Sequence, residues 1–171
     1  DIQSKTIRKM DIPEGKTEYI PRIEFISDTE LAVMTLNRDQ NEFNMYSVNP
    51  RSAISRSILS EKNEKYIAYE LAESIRFMGD RFVFLSERSG YSHVYLYSNT
   101  GVLQNQLTSG NYDVIDIVGI DPDKKAIYYQ SAEESPLKRS ICRVDVEKGN
   151  IKKLSANSGW NTASFSSTGK Y

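Results

Sequence analysis

The chain has 171 residues, 39% of them hydrophobic, which is enough to bury the core of one domain or part of one. The charges of its 22 basic and 23 acidic side chains nearly cancel, so the chain lacks the positive field that would attract nucleic acid. We therefore expect no nucleic-acid partner. Cys142 is the single cysteine, which excludes an internal disulfide framework and a cysteine-based zinc cluster, and we expect neither metal nor cofactor.

Short apolar or alternating runs recur along the chain and are typical of β-strands. In chain order they are Leu31–Leu36, Phe43–Val48, Phe82–Leu85, Val94–Tyr97, Ala126–Tyr129 and Ile141–Val146. Residues that favour tight turns separate them at 99–101, 121–123, 147–150 and 167–170. The pattern therefore predicts antiparallel strands joined by hairpins.

The segment from Ser60 to Ala72 is the exception to the strand pattern. Glu61 and Lys65 stand at the i, i+4 spacing that supports a helix. The same residues are also compatible with a structured loop, so both alternatives stay open.

A repeat of about 47 to 49 residues underlies the strands. Leu59, Leu107 and Leu154 each close a strand and are followed by Ser or Thr, and Met10 stands 49 residues before Leu59. A second series runs through Val48, Tyr97 and Val144 with the same spacing. Four strands per period are the signature of a β-propeller blade.

We therefore predict an all-β fold, a partial β-propeller of about three four-stranded antiparallel blades with flanking strands. The predicted ranges are 20–60, 72–108 and 113–155 for the blades, 5–10 for a preceding strand and 160–166 for the first strand of a next blade. The alternative is a two-sheet sandwich, but strands of a sandwich are not expected to repeat in fours at a constant period.

The residues that hydrolytic chemistry needs are missing from the pattern. A serine nucleophile requires a Gly-x-Ser-x-Gly elbow with a histidine base and a carboxylate, and Ser109, which precedes a glycine, lacks the first glycine of that motif. His93, the only histidine, begins an apolar strand, where packing or hydrogen bonding is expected. Cys142 alternates with polar residues and is predicted to be buried. We expect no catalytic residue in this chain.

Six segments, taken in order, resemble the propeller of the dipeptidyl peptidase IV family, and bacterial members more than animal ones. They are Thr17–Ile23, Leu36–Asn41, Phe84–Tyr95, Gln106–Val114, Ser131–Leu137 and Ser164–Tyr171. The resemblance implies a larger serine exopeptidase in which an eight-bladed propeller caps an α/β-hydrolase domain. It implies removal of N-terminal Xaa-Pro or Xaa-Ala dipeptides, with this segment supplying cavity wall and substrate gating.

The resemblance also bears on individual residues. Tyr66, Tyr69, Glu70 and Leu71 match a family loop that faces the cavity, so they are the predicted substrate-binding residues. The pair Glu133–Glu134 resembles a later hairpin loop rather than the amine-binding glutamates of the family, and we interpret it as a solvated acidic turn. Tyr112 and Trp160 follow blade-closing turns, where we expect them to pack.

Two other functions remain open at this point. The chain could be a non-catalytic interaction scaffold, since fold alone does not choose a function, or the propeller of a related tripeptidyl or acylaminoacyl peptidase. The resemblance implies a periplasmic or cell-surface location. Uncovered blade faces predict self-association of the isolated chain.

Overall fold

Three four-stranded antiparallel sheets follow one another along the chain in the computed structural model, which describes residues 5, 7–13, 17–121, 123 and 125–166. The first sheet contains β1 (Tyr19–Ser27), β2 (Glu30–Leu36), β3 (Glu42–Val48) and β4 (Ser55–Lys62), and the short helix α1 (Glu70–Ser74) follows it. The second contains β5 (Arg76–Phe77), β6 (Arg81–Ser86), β7 (His93–Ser98) and β8 (Leu103–Gln106). The third contains β9 (Val114–Ile120), β10 (Ala126–Ser131), β11 (Ser140–Asp145) and β12 (Ile151–Lys153). The predicted all-β class is confirmed.

The chain divides into two compact units. The first unit contains the β1–β4 sheet and the turn Asn99–Val102, and its main segment ends at Glu73. The second unit begins at Ser74 and contains the β5–β8 and β9–β12 sheets. None of the helices in the described part of the chain is long and apolar enough to cross a membrane.

In the first unit, the middle strands β2 and β3 carry the core. Met34 lies opposite Met45 in the ladder, and both side chains are completely buried. On the other face, Val33, Tyr46 and Val48 form a cluster against which the segment around Met10 and Ile12 packs. Successive side chains of a strand point to opposite faces, and consecutive residues of β2 are buried, so both faces of this strand are covered. This explains why its apolar run is nearly continuous.

In the second unit, two sheets share one core. Val83, Val94 and Leu96 of the β5–β8 sheet cluster with residues of the β9–β12 sheet that include Tyr129 and Val144. All of these side chains are buried, at no more than 3% exposure. A four-stranded sheet of this unit is thus stabilised by packing its apolar face on the sheet that follows it in the chain.

The sequence repeat corresponds to equivalent hydrogen bonds within successive sheets. The backbone N–H of Leu107 donates to Val94 O at 2.8 Å, and that of Leu154 donates to Ile141 O at 2.7 Å. Leu59 lies opposite Met45 in the first sheet. Each of these leucines lies against the third strand of its sheet, Leu59 within β4 and the other two directly after the last strand, so the repeat marks similar positions in successive sheets.

The structure differs from the sequence-based expectation between residues 60 and 72. Residues 60–62 continue β4, where Glu61 lies opposite Phe43 of β3, and the helix begins only at Glu70. The spacing of Glu61 and Lys65 therefore does not form a helical pair, because ladder hydrogen bonds hold the first of them in an extended strand.

The predicted flanking strands are also absent from the described residues. Residues 5 and 7–10 form no strand, and at the other end Trp160 makes one isolated parallel bridge with Arg139 while 161–166 are irregular. A strand requires a neighbour for its ladder, and apart from the single bridge at Trp160 no described segment pairs along either range. The predicted turn at 167–170 and residues 6 and 122 lie outside the described residues.

Candidate functional site

The four predicted substrate-binding residues lie in the segment that follows β4 and leads into α1. Tyr66 is 57% exposed and Tyr69 is 50% exposed, and Glu70 at the first position of α1 is exposed as well. Leu71 is half-buried. The segment therefore presents two phenol rings and one carboxylate to solvent.

A buried residue between the two tyrosines holds the segment in place. Ile67 is only 4% exposed, and its backbone N–H donates to the carbonyl oxygen of Gln40 at 2.6 Å. Just before it, Asn63 N–H donates to Asn41 O at 3.0 Å. The tyrosine segment is thus anchored on the turn between β2 and β3.

The anchoring turn is itself organised by one side chain. The Oδ1 atom of Asn37 accepts hydrogen bonds from the backbone N–H groups of Asn41 at 3.0 Å and Glu42 at 2.9 Å, and its Nδ2 donates to Asn41 Oδ1 at 2.7 Å. Gln40 adopts a φ of 53°, which lets the chain reverse within four residues. This local network orients the carbonyl group that Ile67 uses.

The far end of the segment is held by a charged side chain of β1. Arg22 Nη1 donates to the carbonyl oxygen of Ala72 at 3.1 Å, and its Nη2 forms an ion pair with Glu24. The chain is therefore fixed at Ile67 and again at Ala72. Tyr66, Tyr69 and Glu70 project from a supported stretch of backbone, which is the arrangement that a contact surface for a ligand needs.

His93 lies in the second unit and has a structural environment. It is 1% exposed, with Nδ1 at 3.1 Å from Thr108 Oγ1 and Nε2 at 3.0 Å from the carbonyl oxygen of Gly110. The Tyr112 ring packs edge-on against it at 5.3 Å between centroids. Among the described residues, the hydrogen-bond partners of the imidazole are a threonine hydroxyl and a backbone carbonyl, so it has the partners of a packed histidine rather than those of a general base.

Cys142 is buried beside Tyr129. Burial raises the pKa of the thiol, and the charge of Glu133 raises it further, so the thiolate that a nucleophile would need is disfavoured. Burial also raises the pKa of the Tyr129 phenol. This cluster is a part of the core, in agreement with the sequence-based interpretation of Cys142.

The acidic pair at 133–134 lies in an exposed turn. Glu134 forms ion pairs with Lys153 and, at 3.7 Å, with Lys138, and it accepts a hydrogen bond from Ser158 Oγ at 2.9 Å. The hydrogen bond from Lys153, followed by that from Ser158, holds the pKa of Glu134 below its ordinary value. Its charge is satisfied by neighbouring lysines, as expected of a surface turn.

Within the described residues, no group of three or more His, Cys, Asp or Glu side chains is placed to hold a metal ion.

Sequence reasoning found the tyrosines but missed Asn37, Gln40 and Arg22, which position them. Only the short spacing of Asn37 and Asn41 could have indicated an ordered turn.

The sequence model of the dipeptidyl peptidase IV N-terminal region matches residues 1–171. The chain belongs to this family. The resemblance found in the sequence is therefore confirmed, and it extends over the whole chain.

Individual relatives agree with this assignment. The dipeptidyl peptidase 4 of Trichophyton rubrum is 28% identical over 178 aligned residues, and that of Trichophyton equinum is 27% identical. Each alignment covers 99% of this chain and 23% of the relative. This dipeptidyl peptidase IV family chain thus spans about a quarter of the length of the curated relatives it matches.

A solved structure with higher sequence identity to this chain supports the fold. The crystal structure of Porphyromonas gingivalis dipeptidyl peptidase 4 superposes with a TM-score of 0.91 and 41% identity, over 99% of this chain and 24% of that one. Since that protein is bacterial and far more similar than the fungal relatives, the expected bacterial type of the chain is supported. The partial β-propeller class with three four-stranded blades is confirmed.

Proposed function

We propose that this chain is the non-catalytic propeller portion of a longer serine-type exopeptidase that removes N-terminal Xaa-Pro or Xaa-Ala dipeptides. The observation that carries the proposal is the family match over residues 1–171 together with 41% identity to a dipeptidyl peptidase 4 structure. The match favours this function over an interaction scaffold and over a tripeptidyl or acylaminoacyl peptidase. The nucleophile, base and carboxylate would be supplied by an α/β-hydrolase domain of the same polypeptide.

Within that enzyme, Tyr66, Tyr69, Glu70 and Leu71 are proposed to contact substrate side chains. Their support comes from the structure of the segment: two exposed aromatic rings and one exposed carboxylate on a backbone fixed through Ile67. Aromatic rings contribute contact area with little loss of conformational freedom, and the carboxylate can pair with a basic substrate residue. The propeller would thereby form part of the cavity wall and gate access for peptides.

The proposal includes location and partners. The peptide substrate and the hydrolase domain are the partners, and the periplasm or cell surface is the proposed location, on family grounds. Self-association of the isolated chain is proposed because Ile23 and Phe25 on β1 are 57% and 67% exposed.

The substrate-contact role is tested in the longer protein with Tyr69→Ala combined with Glu70→Ala. KM for peptides of eight to ten residues should rise by about tenfold, the effect of losing roughly 1.4 kcal/mol of binding, while KM for a dipeptide reporter stays unchanged. Tyr91→Ala with Glu87→Ala, a matched pair in an exposed turn of the other unit, is the control. Equal KM values for variant and control on long peptides would show that the segment only links two sheets.

A further inference from the structure

Trp160 does not pack as the sequence pattern predicts. It remains 66% exposed, although the backbone around it is firmly connected to the hairpin between β10 and β11. Arg139 N–H donates to Gly159 O at 2.8 Å, and Asn161 N–H donates back to Arg139 O at 3.0 Å. A large aromatic side chain is thus presented to solvent from an ordered backbone.

The side chain beside Trp160 is Arg139, and its guanidinium is fixed in place. Its central carbon lies 4.6 Å from the centre of the Trp160 ring system, a cation–π distance. Nη1 donates to the carbonyl oxygens of Pro136 at 2.8 Å and Lys138 at 2.7 Å, so the tip of the hairpin wraps around it. Leu137 between these two carbonyl groups is 85% exposed.

The charge of Arg139 is not balanced by a carboxylate anywhere in the described part of the chain. Glu134, an acidic residue on the same hairpin, is engaged by Lys153 and Lys138. Nη1 is occupied by carbonyl oxygens, and Nη2 retains donors without a described partner. A half-buried, oriented guanidinium without a counter-charge attracts a carboxylate from outside.

We propose that Trp160, Arg139 and Leu137 form a surface site for the free C-terminal carboxylate of a peptide whose last residue is apolar. The carboxylate accepts hydrogen bonds from the Arg139 guanidinium, and the apolar side chain covers Leu137 and the open face of Trp160. The three residues lie on one hairpin tip and the link bonded to it, so the site is preformed.

The choice of a C-terminus rests on the proposed function. A peptide substrate of an exopeptidase that acts at the N-terminus keeps its C-terminal carboxylate at the far end, where a remote site can engage it. Such a site adds binding energy away from the reacting bond, so it acts on KM for long peptides. It would also hold the shortened peptide after one dipeptide has been removed.

Binding can be measured on the 171-residue chain because Trp160 is its only tryptophan. The fluorescence of Trp160 is recorded while an octapeptide ending in leucine is added, once as the free acid and once as the C-terminal amide. The acid should give a saturable change with an affinity at least tenfold higher than the amide. Equal titrations of acid and amide would overturn the proposal.

Two variants separate the site from general folding effects. Arg139→Gln should weaken binding of the acid by about tenfold, and Leu137→Ser, at an exposed position, should weaken both peptides while the folded structure is kept. Ile7→Ser, at a position 97% exposed in the other unit, is the matched control and should bind as the parent does. Unchanged binding by Leu137→Ser contradicts the site even if Arg139→Gln does not fold.

Kinetics in the longer protein distinguish this inference from the proposed function. Leu137→Ser should raise KM for the octapeptide acid and leave hydrolysis of a dipeptide reporter unchanged. If the reporter is cleaved but acid and amide octapeptides have equal KM values, the carboxylate site is refuted and the exopeptidase function stands. If the reporter is not cleaved at all, the proposed function fails, while the fluorescence titration still decides the site.

Discussion

At the scale of residues, His93 shows how a polar side chain can be buried without loss of stability. The carbonyl oxygen of Gly110 can only accept, so Nε2 carries the hydrogen and Nδ1 accepts from the hydroxyl group of Thr108. The same hydroxyl oxygen accepts from Val94 N–H at 2.9 Å. Each polar atom of this group has a partner, which is the condition for burying it.

Thr108→Val tests this network because it keeps the shape of the side chain and removes the hydroxyl. The free energy of unfolding should fall by about 1–3 kcal/mol, since Nδ1 of His93 and the N–H of Val94 both lose a partner in the interior. Ser109→Ala at the neighbouring exposed position should change it by less than about 0.5 kcal/mol. Equal denaturant midpoints for both variants would show that the network does not contribute.

Cys142 provides a test based on pH. Because burial raises the pKa of its thiol in the folded chain, its contribution to stability is complete below the ordinary thiol pKa and is lost as the pH rises through the folded value. At about pH 8.5, near the ordinary value, a disulfide reagent should modify the folded chain far more slowly than the chain in denaturant. Similar rates in both states would contradict the burial of this residue.

At the scale of elements, the segment from Tyr66 to Ala72 depends on another loop for its position. Asn37 organises the β2–β3 turn, Gln40 in that turn accepts the Ile67 N–H, and Arg22 holds Ala72. The segment that carries the exposed tyrosines is thus held by a contact between Arg22 and Ala72, which are 50 positions apart in the sequence. Loops supported in this way can carry binding residues precisely.

Asn37→Ala should loosen that arrangement. Loss of the bonds to Asn41 and Glu42 frees the turn, so the amide hydrogen of Ile67 should exchange at least tenfold faster, and the free energy of unfolding should fall by about 1 kcal/mol. Arg38→Ala, on the exposed part of the same turn, serves as the comparison. Unchanged exchange at Ile67 in the Asn37 variant would mean that the segment is held by other contacts.

The apolar runs in the sequence predicted the two middle strands of every sheet. None of these runs corresponds to an edge strand. Strands such as β2 and β7 have hydrogen-bonded neighbours on both sides and are buried on both faces, so their residues form apolar runs. Edge strands β8 and β12 have no buried residue at all, and their composition resembles that of a loop. Only the repeat length indicated that four strands, rather than two, belong to each sheet.

The candidate site was predictable only in part, for a related reason. The tyrosines could be found by resemblance, whereas the contacts of Gln40 and Arg22 join positions that are distant in sequence and carry no local pattern. The same applies to Arg139 and Trp160, which meet because a hairpin and a link are bonded through their backbones. Trp160 was expected to pack, and its exposure is visible only in the folded chain.

At the scale of the whole molecule, the first unit has an apolar surface that solvent contacts. Ile23 and Phe25 lie on the same face of β1, opposite Val33 and Leu31 of β2. Within the described residues, β1 has a ladder partner on one side only and forms an edge of its sheet. In the second unit, by contrast, an apolar sheet face is covered by the next sheet.

This contrast predicts that the isolated chain self-associates. Light scattering at micromolar concentration should show dimers or larger species, and Ile23→Ser combined with Phe25→Ser should shift them towards the monomer because the apolar contact is removed. Ile7→Ser should leave the distribution unchanged. A monodisperse monomer of the parent chain would show that this apolar face does not mediate association between copies.

We propose that this chain shapes access to the active site of a longer dipeptidyl peptidase and supplies none of its catalytic residues. The most direct measurement is the rate at which a chromogenic Xaa-Pro reporter is cleaved by the 171-residue chain and by the longer polypeptide that contains it. We expect turnover by the longer protein, blocked by a serine-directed inhibitor, and none by the chain alone. Inhibitor-sensitive turnover by the purified chain, or none by the longer protein, would contradict the account.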